Sequence, residues 1–224
     1  MSRNGVALDP VEVKSAARRF DLYATVESAN ARTHKTKVTN YLTLPIGARV
    51  PEIVNAVVEI PRGQANKYEY DKTLHVFRLD RTLYSPVHFP GDYGFIPSTL
   101  SGDGDGLDVL ILVNEPSFPS CLIEVRPIGL LLMTDQGASD EKVLAVATTN
   151  PHYRGVGNYT EVYPHVLLEI EHFFTIYKDL ENKRTKVIEW RDVPHAQAVI
   201  NESHQRFIDA SKKAMRHDEY GGIG

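Results

Sequence analysis

Ile53-Val54-Asn55-Ala56-Val57-Val58-Glu59-Ile60 is the stretch whose reading decides the fold. It is rich in strand-forming residues, and alternation puts Val54, Ala56, Val58 and Ile60 on one face and Val57 and Glu59 on the other. Further strand patterns follow at 67–70 and 74–79, joined by a turn at Asp71-Lys72, and then at 108–113, 122–133 and 143–148. Pro127 and Gly129 predict a bend or bulge in the long one. Short strands parted by turns predict a closed or nearly closed antiparallel β-barrel. Helical periodicity comes last. Val166, Ile170, Phe173, Phe174 and Tyr177 recur within 164–182, and Ala196, Val199, Ile200, Phe207 and Ile208 form a stripe within 194–215. A barrel first and helices after reads as α+β. Upstream, residues 1–50 are polar and weakly patterned, broken by Pro10, Pro45, Gly47 and Pro51. They read as an N-terminal arm with a short helix near 11–20. Residues 51–216 form the expected domain and 217–224 a tail.

The 224 residues are 42% hydrophobic and 24% charged, which excludes wholesale disorder, collagen and coiled coil. A net charge of -4 is a poor footing for binding nucleic acid by bulk charge. Cys121 is the single cysteine, so no disulfide within the chain can form. No stretch approaches the ~20 consecutive apolar residues of a membrane helix. The first forty residues lack the apolar region of a secretory signal and mix acidic with basic residues, so the expected address is the cytoplasm.

The segment Asp103-Gly104-Asp105-Gly106-Leu107-Asp108-Val109 is the most informative for function. Three carboxylates lie within six residues at the mouth of an apolar strand, where like charges raise one another's proton affinity. Such a loop is either a solvated acidic turn or a site for hard cations, which favour carboxylate oxygens. An EF-hand fails, because Leu107, Asp108 and Asn114 stand where its fifth, sixth and twelfth positions need Asp or Asn, Gly and Glu. Asp135, Asp140 and Glu141 form a second acidic cluster, with Lys142 adjacent, on an expected loop between two strands. Glu59 is an acid in an otherwise apolar strand, which favours a functional role.

Cationic and phenolic groups fall in the same neighbourhood of the pattern. Lys67 and Glu69 share a strand face, Arg78 and Arg81 flank a strand end, Tyr93 lies in an expected Pro-Gly turn, and Tyr177 and Lys178 lie near the end of the first helix. Singly, each is a solvated or snorkelling side chain. Together with five aspartates they suggest a division of labour in which acids hold divalent cations while Lys, Arg and Tyr hold phosphoryl oxygens.

These residues resemble the soluble family I inorganic pyrophosphatases. The resemblance rests on an ordered set: V-V-E-I-P (57–61) with K-Y-E-Y-D (67–71), F-P-G-D-Y-G-F-I-P (89–97), D-G-D-G-L-D-V-L (103–110), the run from Arg126 to Lys142, and H-F-F-T-I-Y-K-D-L-E (172–181). It implies an α+β fold with a small five-stranded OB-like barrel and flanking C-terminal helices. It implies magnesium-dependent hydrolysis of diphosphate to two phosphates, with several Mg2+ ions per site and Mn2+ or Zn2+ as substitutes. Carried over residue by residue, Asp103, Asp108 and Asp140 would hold the activating metal, with Asp108 bridging to a second ion. Asp105 would accept the proton of the attacking water, and Glu59 and Asp135 would help hold further ions. Lys67, Arg81, Lys142, Tyr177 and Lys178 would bind phosphoryl oxygens, and Glu69 and Tyr93 would line the cavity. The expected partners are diphosphate and further copies of the chain, as a hexamer if bacterial, with neither nucleic acid nor membrane.

Three positions depart from the family pattern. Gly106 replaces Pro or Glu, Phe89 replaces the usual Tyr, and Gln136 replaces a common acid. A proline restored at 106 is expected to raise activity or stability, because glycine frees a backbone that should be fixed. Rival readings are a hydrolase of other phosphoanhydrides on the same site, a catalytically weakened metal-binding relative, and a barrel gripping single strands. The chain has no P-loop signature, and an acidic groove suits single strands poorly.

Overall fold

The computed structural model describes residues 38–220, so the helix expected near 11–20 lies outside the described residues. Eight strands are present: β1 (Val54–Ile60), β2 (Asn66–Asp71), β3 (Val76–Thr82), β4 (Asp92–Ile96), β5 (Leu107–Leu112), β6 (Leu122–Asp135), β7 (Ala138–Ala147) and β8 (Thr185–Arg191). Two α-helices follow the barrel strands, α1 (Pro164–Ile176) and α2 (Val193–Tyr220). The larger sheet runs β1-β4-β5-β7-β6-β8, and β6 also pairs with β1, which closes a ring of five strands. The expectation of an α+β barrel with C-terminal helices therefore holds. One pairing corrects it: β5 and β7 are parallel, whereas the sequence reading made every pair antiparallel.

Two strands were not foreseen. β4 lies in the expected Pro90–Gly94 turn; it is fully buried, and Gly94 allows it to cross β1 closely, since a Cβ there would fall 1.9 Å from the Val57 carbonyl oxygen. The glycines that suggested a turn serve a tight strand crossing instead. β8 follows α1 and adds to the outer half of β6. Its half-exposed pattern carries no clean alternation. The helix expected over 164–182 stops at Ile176. A separate 3₁₀ turn (Asp179–Glu181) follows, ending at Asn182 in the left-handed region. α2 runs past Met215 to Tyr220, into the expected tail.

The arm expected over 1–50 does not extend to residue 50. Ile46 is buried in the core, its carbonyl accepts the Asn55 amide at 2.6 Å, and Arg49 bridges to Ile53.

Core packing explains where a site can form. Alternate residues of β5 enter two apolar clusters: Val109 and Ile111 join Val54, Ala56, Val58, Ala196 and Ile200, while Leu110 and Leu112 join Phe173, Phe174 and Tyr177 beneath α1. The face expected for β1 breaks at its end, because a register shift at Glu59 sends Ile60 to the α1 side. Val57, Tyr70 and Phe95 form a third, smaller cluster, with Tyr41, Leu42 and Leu44 packed on it.

Candidate active site

The side chains on the α1 side of the barrel are apolar at their centre and ionic at their edge. Strand alternation puts Asp108 on the face of Leu110, Asp140 and Lys142 on that of Leu144, and Asp135 on that of Leu131 and Met133. The strands thus pass from packed core to a ring of charge without changing face. That ring lines a cavity of about 440 Å³. Glu59, Lys67, Glu69, Tyr93, Asp103, Asp105, Asp108, Asp135, Asp140, Lys142, Tyr177 and Lys178 all line it. Arg81 is the one predicted site residue that does not. Its guanidinium donates from Nε to Glu181 at 2.9 Å and also meets Asp80.

Asp135 and Asp140 sit on strands rather than on the expected loop. A two-residue turn, Gln136-Gly137, joins β6 to β7 with both residues at positive φ (51° and 87°), and Asp135 pairs with Ala138 across it. Asp103 and Asp105 do lie on a loop. Asp103 accepts the Asp105 amide at 3.0 Å, the Ser101 amide reaches the Asp105 carbonyl at 2.7 Å, and Gly104 supplies a φ of 90°.

Four of the five aspartates, all but Asp103, are met by a lysine. Lys142, 3% exposed, bridges Asp108 at 2.6 Å and Asp140 at 2.7 Å, and lies over the rings of Tyr93 and Phe174. Burial alone would push its ammonium down, but the two carboxylates more than reverse this and hold it above the usual lysine value. Lys178 meets Asp135, and Lys72 meets Asp105 and the Gly104 carbonyl. Burial pushes the Asp140 carboxyl up, against the pull of Lys142. Burial also pushes Glu59 up to about 8, with Asp108 adding to the effect and the Tyr70 amide opposing it. Burial and the neighbouring acids hold the Tyr93 and Tyr177 phenols protonated.

Among the described residues, no three Asp, Glu, His or Cys side chains form a ready metal cage. The donor set nevertheless fits a hard divalent cation. Carboxylate oxygens predominate, Glu59 is a buried carboxyl whose one hydrogen bond comes from the Tyr70 amide, and Asp135 Oδ1 is buried without a hydrogen-bond partner.

The sequence reading missed Leu42, Tyr70, Lys72 and Ser139, all of which line the cavity. Lys72 was legible only as a turn residue, and nothing local links Leu42 to a site far along the chain. Of the three departures, Gly106 lines the cavity, whereas Phe89 does not. Phe89 is 2% exposed and packs on Tyr93 and Phe173 at 5.3 and 4.8 Å between ring centres.

Fold and cavity together define a closed five-stranded barrel with an acid- and lysine-lined pocket on its helix-covered side. A family model described as inorganic pyrophosphatase matches residues 56–208. An inorganic pyrophosphatase from Nostoc sp. is 49% identical over 153 residues, covering 68% of this chain and 90% of that relative. One from Methanosarcina mazei is 46% identical over 156 residues, covering 70% and 92%. The crystal structure of the inorganic pyrophosphatase from Thermus thermophilus superposes with a TM-score of 0.74 at 43% identity, covering 75% of this chain and 99% of that one. The chain belongs to the inorganic pyrophosphatase family, in agreement with the family I resemblance.

Proposed function

We propose that this protein hydrolyses inorganic diphosphate to two orthophosphates, with magnesium as its ordinary ion. The observation that carries this reading is the convergence of five aspartates and Glu59 with four lysines on one cavity. Asp103, Asp108 and Asp140 would hold the activating cation, with Asp108 also serving a second, and Glu59 and Asp135 would help hold ions that arrive with substrate. Magnesium there supplies positive charge for the phosphoryl oxygens and for acidifying the attacking water. The chain's own groups do the rest. Asp105, at the mouth of the cavity, accepts the proton of the attacking water. The water oxygen bonds to one phosphorus as the bridging P–O bond breaks and the second phosphate leaves. Lys67, Lys142, Lys178 and Tyr177 orient the phosphoryl oxygens, and Arg81 joins them on release from Glu181. Glu69 and Tyr93 line the pocket. The family resemblance also implies a homo-oligomer in the cytoplasm.

Phosphate release from diphosphate with magnesium, against a chelator control, tests the reaction. Folded protein that releases none in magnesium refutes it. Asp105→Asn is expected to lower turnover by about 10²–10⁴-fold, the usual contribution of a general base, with an unchanged melting temperature. Near-normal turnover by that variant removes Asp105 from the role.

A further inference from the structure

We infer that Tyr70 is a positioning residue for Glu59, clamped in place by the segment 40–44. The inference rests on the reading of Glu59 as a cation-holding group. Glu59 sits where the register of β1 shifts, and among the described residues its carboxylate accepts a hydrogen bond from one group, the Tyr70 amide at 2.8 Å. The direction of that amide therefore fixes the carboxylate. A β-strand amide points where its own side chain and backbone are held, and Tyr70 is held at both ends. Its ring is 7% exposed and packs against Tyr41, Phe77 and Phe95 at centroid distances of 5.4, 5.3 and 6.3 Å. Its hydroxyl lies 2.7 Å from His75 Nδ1 and accepts the Tyr41 amide at 3.2 Å.

The clamp comes from chain upstream of the barrel. The Asn40 side chain accepts the Leu42 amide at 3.1 Å, and the carbonyls of Leu42 and Leu44 accept the Ser98 amide and hydroxyl at 2.7 and 2.8 Å. Leu42 and Phe95 line the same cavity, and Phe95 lies against Gly106 of the acidic loop. A phenylalanine would fill the space of the Tyr70 ring equally well. The hydroxyl adds the ties to Thr39, Asn40, Tyr41 and His75, and hence the setting of the amide. Outer partners that orient metal ligands typically contribute about 10–100-fold to metal affinity or activity.

Tyr70→Phe tests this by removing the hydroxyl alone. Turnover is expected to fall roughly tenfold, the lower end of that range, with little change in KM for diphosphate. Calorimetric binding of magnesium to the protein saturated with a non-hydrolysable diphosphate analogue should weaken by a similar factor, and amide exchange should quicken over β2 but not over α2. In a Glu59→Gln background, Tyr70→Phe should have no further effect on turnover. Asn40→Ala, which loosens the clamp at a half-exposed position, should shift magnesium binding in the same direction. Additive losses from the Tyr70 and Glu59 changes, or unaltered magnesium binding in both Tyr70→Phe and Asn40→Ala, overturn the inference alone. Full turnover by Glu59→Gln overturns the reading of Glu59, and the inference falls with it.

Discussion

Lys142 is the residue on which the charge balance of the cavity turns. It is nearly fully buried between two carboxylates that are 29% and 21% exposed. Lys142→Met leaves Asp108 and Asp140 facing each other without a counter-charge. Breaking a fully buried pair costs roughly 3–5 kcal/mol, and the partial exposure of the acids brings the expectation down to about 2–3 kcal/mol. Denaturant unfolding in chelator measures it, and added magnesium should restore part of the loss. Gly106 reverses an expectation. A Cβ there would come within 3.0 Å of the Phe95 Cβ, and Phe95 is locked among Val57 and Tyr70, so the glycine fits its neighbour rather than loosening the loop. Gly106→Pro should therefore lower stability by about 1–3 kcal/mol, the usual penalty of overpacking. A raised melting temperature would show that Phe95 has room to retreat. The identity of the acids was legible in the sequence because carboxylates among glycines and in apolar strands are conspicuous. The fit of Gly106 to Phe95 was not, because it depends on a contact between strands.

At the scale of elements, the β6–β7 turn sets the spacing of two site acids. Gln136 sits at a φ of 51° beside Gly137 at 87°. A non-glycine residue in that region costs roughly 1–2 kcal/mol, less for Asn, whose side chain bonds locally. Gln136→Asn should stabilise the protein by about 0.5–1 kcal/mol, part of that cost, and leave diphosphate hydrolysis unchanged; a lowered melting temperature would mean that the Gln136 side chain itself matters. The elements differed in legibility for identifiable reasons. β1 and β5 announce themselves through apolar runs. β4 is disguised by the glycines that let it cross β1, and β8 presents a face too mixed to alternate. The site acids of β6 and β7 were recognised, but their strands were cut short because a polar hairpin tip looks like loop.

For the whole molecule, the β2–β3 hairpin is a separate two-stranded sheet, and an ion pair ties its far end to the turn that carries Lys178. Burial pushes the Glu181 carboxyl up, but hydrogen bonds from Arg81 and Lys183 outweigh it and hold the group below the ordinary glutamate value. A carboxyl lowered by folding contributes stability that is complete above the unfolded value, about 4.3, and is lost as pH falls through the folded one. The parent should be about 1.5–3 kcal/mol more stable than Glu181→Gln at pH 7, as for hydrogen bonds to charged groups, with the gap narrowing as pH falls below the unfolded value and closing below the folded one. A gap that persists in acid would assign the effect to packing.

Ring closure also fixes an order of events for a chain made from its N-terminus. β1 borders β4 on one side and residues 122–125 on the other. Its second edge therefore lacks a permanent neighbour until residues 122–125, more than sixty positions further on, have been synthesised, and an unpaired apolar edge of that kind is what invites a stray strand.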